Sequence, residues 1–221
     1  METGGEGRPP ARRADASRND KRILATAREV FIELGPGAPI SVIAERAGVG
    51  MGTLYRRYPS KEDLMRALSL AHMEQTRAAA EAGLADPDPW AGFEGFIVSC
   101  VEAGVDGSPR LAGTFEVTED VLATSKRARE AITVLVTRAQ AEGGLRRDVN
   151  ADDIVVLLHA LRERRSARGG TAADLTQRFL GIILDGLRAS NARPLAAPPT
   201  DRKKMEQAMK STFRKDAPHS P

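Results

Sequence analysis

Between Pro39 and Lys61 the chain reads PISVIAERAGVGMGTLYRRYPSK, and this stretch leaves the backbone few choices. Ile40, Ile43, Ala44 and Ala47 recur at spacings of three and four, which puts them on one buried face of a short helix. Gly48 stops that helix, since a glycine just past the last turn takes the left-handed conformation at little cost. Val49 carries the chain across the turn as an apolar plug. A second helix starts near Gly50 or Met51. Leu54 and Tyr58 lie four apart and face the core, which leaves Met51, Gly52, Thr53, Tyr55, Arg56 and Arg57 on or near the outer face. Pro59 ends the helix. Ser60-Lys61-Glu62-Asp63 then reads as the N-cap and first turn of another.

The exposed residues of the second helix carry groups that suit a nucleic acid. Phosphate contacts position a protein on DNA, and base-edge contacts specify the sequence. Lys61 sits in the first turn of a helix, where backbone N–H groups also point outward, so the two together suit a phosphate. Tyr55 joins an aromatic body to a hydroxyl that reaches a phosphate oxygen. Thr53 can donate to a phosphate or touch a thymine methyl. Gly52 allows close backbone approach. Arg56 and Arg57 are candidates for guanine readout or flanking phosphates, and Met51 offers an apolar contact. Ser41 stands at the start of the first short helix as a cap or as a phosphate contact; both readings stay open.

Ile43-Ala44, Ala47-Gly48-Val49, Gly52-Thr53-Leu54-Tyr55 and Tyr58-Pro59-Ser60-Lys61 resemble, in order and spacing, the helix-turn-helix of the tetracycline-repressor (TetR) family of bacterial transcriptional regulators. The resemblance spans about twenty positions. It implies an all-α protein with an N-terminal three-helix DNA-binding domain and a larger helical domain for ligand binding and dimerisation. It implies phosphate-contacting roles for Tyr55 and Lys61. It also implies a homodimer on palindromic double-stranded DNA, acting as a repressor released by a small molecule. Two positions depart from the family pattern. The loop Gly35-Pro36-Gly37-Ala38-Pro39 is short and lacks an aromatic, with Pro39 near the cap, and Gly50 stands where a serine is common.

Taken in order, residues 1–16 are rich in Gly, Pro, Arg and Glu, and we expect a disordered basic arm. Arg8, Arg12, Arg13 and Arg18 would either follow phosphates or simply solubilise. Residues 17–63 form the DNA-binding domain, its first helix running from Arg18 to Leu34 with Ile23, Ala27, Val30, Phe31 and Leu34 as the apolar stripe. Residues 64–191 form the regulatory and dimerisation domain. Its leading helix, from Lys61 to about Gly83, links the two. Asp88 caps the next helix, with Pro89 at its first position. A weakly defined stretch through Phe115 and Leu122 precedes a helix from Ser125 to Gly143. Asn150 and Thr171 cap the last two. Residues 192–221, Pro-rich and then basic, are expected to be a mobile tail.

The charge is segregated. Residues 1–61 carry a net +4, residues 62–190 a net −5, and residues 191–221 a net +4. A basic head on an acidic body is what a DNA reader with a separate regulatory domain shows. Cys100 is the sole cysteine, which excludes an internal disulfide framework and fits a reducing, cytoplasmic setting. The N-terminus lacks the apolar core of a signal peptide. Ile154 to Leu158, the longest aliphatic run, is too short to span a bilayer.

The segment Ile154–Leu161 is apolar nearly all round, so it needs burial on more than one side. That requirement supports a dimer interface, for which Val155, Leu158, Leu161, Phe179, Ile182 and Ile183 are the candidates. Trp90, Phe93, Phe96, Cys100, Phe115 and Leu135, with His159 as a polar anchor, are candidates to line a pocket for an effector. The same aromatics at helical spacing also read as plain core. There is no nucleophile elbow, no phosphate-cradling glycine loop and no His/Cys/Asp cluster at metal-ligand spacing. We therefore expect no enzyme activity, no cofactor and no metal. A ligand-independent architectural DNA-binding protein remains the alternative, and a helical enzyme the remoter one.

Overall fold

The computed structural model describes residues 10–103, 114–165 and 170–203. Among these the chain forms eight α-helices and no strand: α1 Pro10–Leu34, α2 Ile40–Arg46, α3 Met51–Arg57, α4 Lys61–Ala85, α5 Pro89–Glu102, α6 Glu119–Ala141, α7 Ala151–Arg165 and α8 Gly170–Leu187. A short 3-10 turn, Ala189–Asn191, follows.

Two buried clusters divide the molecule. The smaller joins Ile23, Ala27, Val30 and Phe31 of α1 to Ile43, Leu54, Tyr58 and Leu64, so α1 to α3 pack around the start of α4. The larger joins Phe93, Phe96 and Ile97 of α5 to Leu135 of α6, Ile154 and Leu158 of α7, and Leu180 and Leu184 of α8. The linking helix α4 serves both. Leu64, Met65 and Leu68 belong to the first cluster and Ala80 to the second.

The helix ends follow the local chemistry. Gly48 takes φ 62°. Its N–H bonds Glu45 O and that of Val49 bonds Ala44 O, the paired bonds that satisfy the last carbonyls of α2. Gly143, at φ 76°, closes α6 in the same way, with Gly144 N–H bonding Ala139 O at 3.0 Å. Ser60 and Asp63 form a reciprocal capping box on α4. Asp88 accepts from Trp90 N–H and Ala91 N–H ahead of Pro89. Asn150 and Asp153 exchange bonds of 2.9 and 2.8 Å at the start of α7. The C-terminus of α4 is held from outside. The Arg138 guanidinium donates to Leu84 O at 2.8 Å and Asp86 O at 2.7 Å.

α4 and α5 meet where neither has a side chain. A β-carbon added at Gly83 would stand 2.5 Å from the Gly92 carbonyl oxygen, and one added at Gly92 would stand closer still to the Gly83 oxygen. Only glycines allow the two backbones this approach.

Several expectations are corrected. α1 begins at Pro10, eight residues before Arg18. Pro10 is pre-set for a first helical position, and Ala11, Arg12, Arg13, Ala14 and Ala16 are good helix formers. Residues 1–9 of the expected arm lie outside the described residues. α6 begins at Glu119, not Ser125, because Glu119 and Asp120 complement the helix N-terminus while Val121 and Thr124 are already buried. α8 includes Thr171, expected as its cap.

The tail is anchored over its first part. Thr200 N–H bonds Asp153 at 2.9 Å, Asn150 donates to Thr200 O at 3.0 Å, and Leu195 N–H bonds Asp148 at 2.9 Å. Arg146, itself buried, reaches Gly186 O at 2.9 Å and Arg193 O at 2.5 Å. Residues 192–200 thus lie strapped across the start of α7. Residues 204–221 of the expected mobile tail lie outside the described residues.

Candidate nucleic-acid interface

The α2–α3 unit is held to the body of its domain by what it buries. Ile43 and Leu54 are fully buried, and Ala44 and Ala47 nearly so. Burying a leucine or isoleucine side chain contributes ~2 kcal/mol, which fixes both short helices although neither could persist alone. Neither has a side-chain cap bond: Pro39 and Gly50 occupy the N-cap positions. Ser41 lies in the first turn of α2, exposed, so capping is not its role.

With Leu54 and Tyr58 turned inward, Met51, Gly52, Tyr55, Arg56 and Arg57 are exposed and Thr53 is half-exposed. Met51 at 38% and Tyr55 at 46% are among the large apolar or aromatic side chains left in solvent.

Lys61 stands beside this surface at the start of α4. Its ammonium lies 5.8 Å from the centre of the Phe31 ring, a cation–π arrangement. Partial burial lowers its pKa below the ordinary lysine value. Among the described residues it has no carboxylate partner, so its charge stays available to an external anion. Arg46, by contrast, is paired with Glu33.

Arg57 is placed differently from what its position in the sequence suggests. Its Nε and Nη2 donate to the two carboxylate oxygens of Asp20, on α1, at 2.9 and 2.8 Å. The buried Tyr58 donates its hydroxyl to Asp20 Oδ1 at 2.5 Å. The Arg57 bonds hold the Asp20 carboxyl below the usual carboxylate range, against a smaller opposing effect of burial. Tyr58 is pushed well above the usual phenol value, first by burial and then by its bond to the Asp20 anion. These bonds leave Nη1 unengaged by Asp20, on a side chain that is 62% exposed. Asp20 escaped sequence reasoning because nothing local marks it: its partners lie thirty-seven and thirty-eight residues away.

The remaining candidates fall into two groups. Trp90, Phe93, Phe96, Cys100 and Leu135 come together in the core of the larger domain. Phe115 does not join them. It packs against the smaller cluster, so it is withdrawn from the pocket. His159 is half-buried on α7. Of the proposed interface residues, Leu158 and Leu161 are inside the chain's own core and are withdrawn as partner contacts. Val155, Phe179 and Ile183 are half-buried, while Ile182 is 55% exposed. The outward face is completed by Val156 and Leu175. An all-round apolar segment does not reveal its own rotation, which is why sequence alone chose inward residues.

Two of the contacts that join the domains lie beside α4. Arg28 of α1 donates to Ala103 O, just past α5, and to Gln75 Oε1 on α4, both at 3.2 Å. The other is Phe115 against the smaller cluster.

Comparison with known proteins finds relatives of both parts of the chain. Residues 23–68 match the family described as bacterial regulatory proteins, tetR family. Residues 88–189 match a family described as transcriptional regulator SbtR-like, C-terminal domain. The HTH-type transcriptional repressor LfrR of Mycolicibacterium smegmatis is 29% identical over 140 residues, covering 60% of this chain and 71% of that protein. The crystal structure of a TetR transcription regulatory protein from Mycobacterium vanbaalenii superposes with a TM-score of 0.59 at 29% identity, covering 80% of this chain and 98% of that one. The TetR transcriptional regulator SCO0520 of Streptomyces coelicolor follows at 0.56 and 27%, covering 76% and 98%. Among the described residues no helix is long and apolar enough to cross a membrane.

Proposed function

Because this chain belongs to the TetR family of bacterial regulatory proteins, which are DNA-binding transcription factors and not enzymes, we propose that it is a repressor that binds a palindromic operator as a homodimer in the cytoplasm and lets go when a small molecule enters its larger domain. The observation that carries this reading is the outer face of α3: Met51, Gly52, Tyr55 and Arg56 exposed beside Lys61, over a buried Leu54. In this reading Lys61, Tyr55 and Ser41 take phosphates, and Thr53 and Arg56 work at the groove. Arg57 presents the edge that Asp20 leaves unengaged.

One such unit reads only a few base pairs, and a twofold dimer sets two of them about one helical turn of DNA apart. Val156, Leu175 and Ile182, exposed on α7 and α8, supply the matching apolar face. The effector is proposed to enter among Trp90, Phe93, Phe96, Cys100 and Leu135, near His159. These aromatics fill the core as it stands. A ligand has to part them, and so favours a differently packed state in which α4 and the reading heads move.

The test is DNA binding across a salt series. Lys61→Ala weakens binding to every duplex, and the slope of log affinity against log salt becomes shallower by about 1.8, one contact being lost from each half of the dimer. Tyr55→Phe weakens binding without changing sequence preference. Undiminished affinity of Lys61→Ala at physiological salt would show that the docking is wrong. Affinity that no candidate effector changes would favour the architectural reading.

A further inference from the structure

We propose that Asp20 is a specificity-determining residue for DNA, acting by converting Arg57 from a mobile, phosphate-seeking cation into a fixed and charge-compensated pair of donors. This rests on α3 being the DNA-facing helix.

The argument starts from the order of the bonds. Tyr58 is 6% exposed and cannot move without disturbing the core of its domain. Its hydroxyl fixes Asp20. Asp20 in turn grips one edge of Arg57 with both oxygens. Orientation is thus passed from a buried ring to an exposed guanidinium across two hydrogen-bonded steps. A bidentate carboxylate leaves an arginine little rotational freedom. Arg57 belongs to the last turn of α3, and the edge turned away from Asp20 carries donors of fixed direction.

The carboxylate also cancels the charge. A free arginine at this place would be drawn to any phosphate, whatever the sequence, and would raise affinity for all DNA alike. A compensated arginine gains little from a phosphate at random. It gains most where an acceptor lies along its fixed donors, as on a guanine edge. Asp20 therefore lowers general affinity while sharpening discrimination.

The experiment uses the full-length protein with two duplexes: one obtained by selection from a randomised pool with the wild-type chain, and one of random sequence and equal length. In Asp20→Asn the random duplex binds more tightly and its log–log salt slope steepens by about 1.8, one released arginine per protomer. The preference for the selected duplex falls about tenfold per half-site, the scale of one good bidentate base contact. Adding Arg57→Ala to Asp20→Asn restores the wild-type slope. Arg57→Lys, which leaves Tyr58 and Asp20 intact and keeps the charge, also lowers the preference. Thermal melts check that each variant is folded. An unchanged slope and preference in folded Asp20→Asn overturns the proposal, as does a steepened slope that persists without Arg57. Failure of the wild type to enrich any duplex would instead refute the DNA-binding reading itself.

Discussion

Gly92 and Gly95 lie one turn apart on α5 and make a matched pair of opposite sign. Replacing either with alanine raises helix propensity by up to ~1 kcal/mol. At Gly95 a new β-carbon meets nothing within 4 Å, so Gly95→Ala keeps the gain and stabilises by ~0.5–1 kcal/mol. At Gly92 the β-carbon would run into the Gly83 carbonyl oxygen, with the Gly83 carbonyl carbon at 3.0 Å and the Asp86 β-carbon at 3.1 Å. The obstruction is backbone, which has no other rotamer to take. A carbon and a carbonyl oxygen rest at ~3.3 Å or more, so α4 and α5 must part by about 1 Å. Overpacking of this kind costs ~1–3 kcal/mol, and opening the seam adds loss of contact around Leu135, whose methyl lies 3.3 Å from the Gly83 β-position. The expected net change is a loss of ~2 kcal/mol, or ~4–8 °C in Tm for a chain of this size. Far-UV circular dichroism melts and urea titrations at one fixed protein concentration measure both variants, the concentration being held because association alters Tm. A Gly92→Ala protein that melts at or above Gly95→Ala would refute the claim that α4 and α5 are in backbone contact.

Two further outcomes test the assembly and the charge network. Ile182→Glu places a charge on an outward face without touching the chain's own core, so the protein should stay folded but run as a monomer in size-exclusion chromatography with light scattering; a dimer of unchanged mass would remove α8 from the interface. Asp20 and Asp148 are both held below the ordinary carboxylate pKa, first by the hydrogen bonds of Arg57 and Arg146 respectively. A depressed folded-state value gives stability that is present above the unfolded value, near ~4, and lost as pH falls through the folded one. Urea midpoints should therefore drop progressively below about pH 4, and Asp148→Asn should flatten part of that acid limb while lowering the neutral-pH midpoint.

The helices that bury a regular stripe were legible because period and caps agree. Ser60, Asp88 and Asn150 bond as their positions imply. Phe93, Phe96, Ile97, Ile132, Leu135 and Ala139 are all buried. The exposed face of α3 was legible for the same reason, since placing Leu54 and Tyr58 inside decides the rest. What escaped was set by tertiary partners. Asp20 is an ordinary surface acid until α3 folds beside it. Phe115 has no helix of its own to give it a face and goes to the nearer core. The strap at 192–200 is held mainly through backbone groups, which carry no mark in the sequence. The extension of α1 to Pro10 fits helix propensity, a signal weaker than the polar composition that argued against it.

The glycine seam between α4 and α5 also sets a mechanical ratio. Gly83 is clamped near one end of α4, by Gly92 on one side and by the Arg138 bonds just beyond, while Lys61 marks the other end. At ~1.5 Å per residue the two lie about 33 Å apart. Turning so long an arm by about 5° about a pivot at Gly83 swings Lys61 through roughly 3 Å, comparable to the rise of one base pair. In a twofold pair the two swings combine, and the distance between heads changes by up to about 6 Å. In the dimer proposed above, a side-chain rearrangement too small to be noticed in the larger domain would thus be amplified into a misfit that successive major grooves cannot absorb.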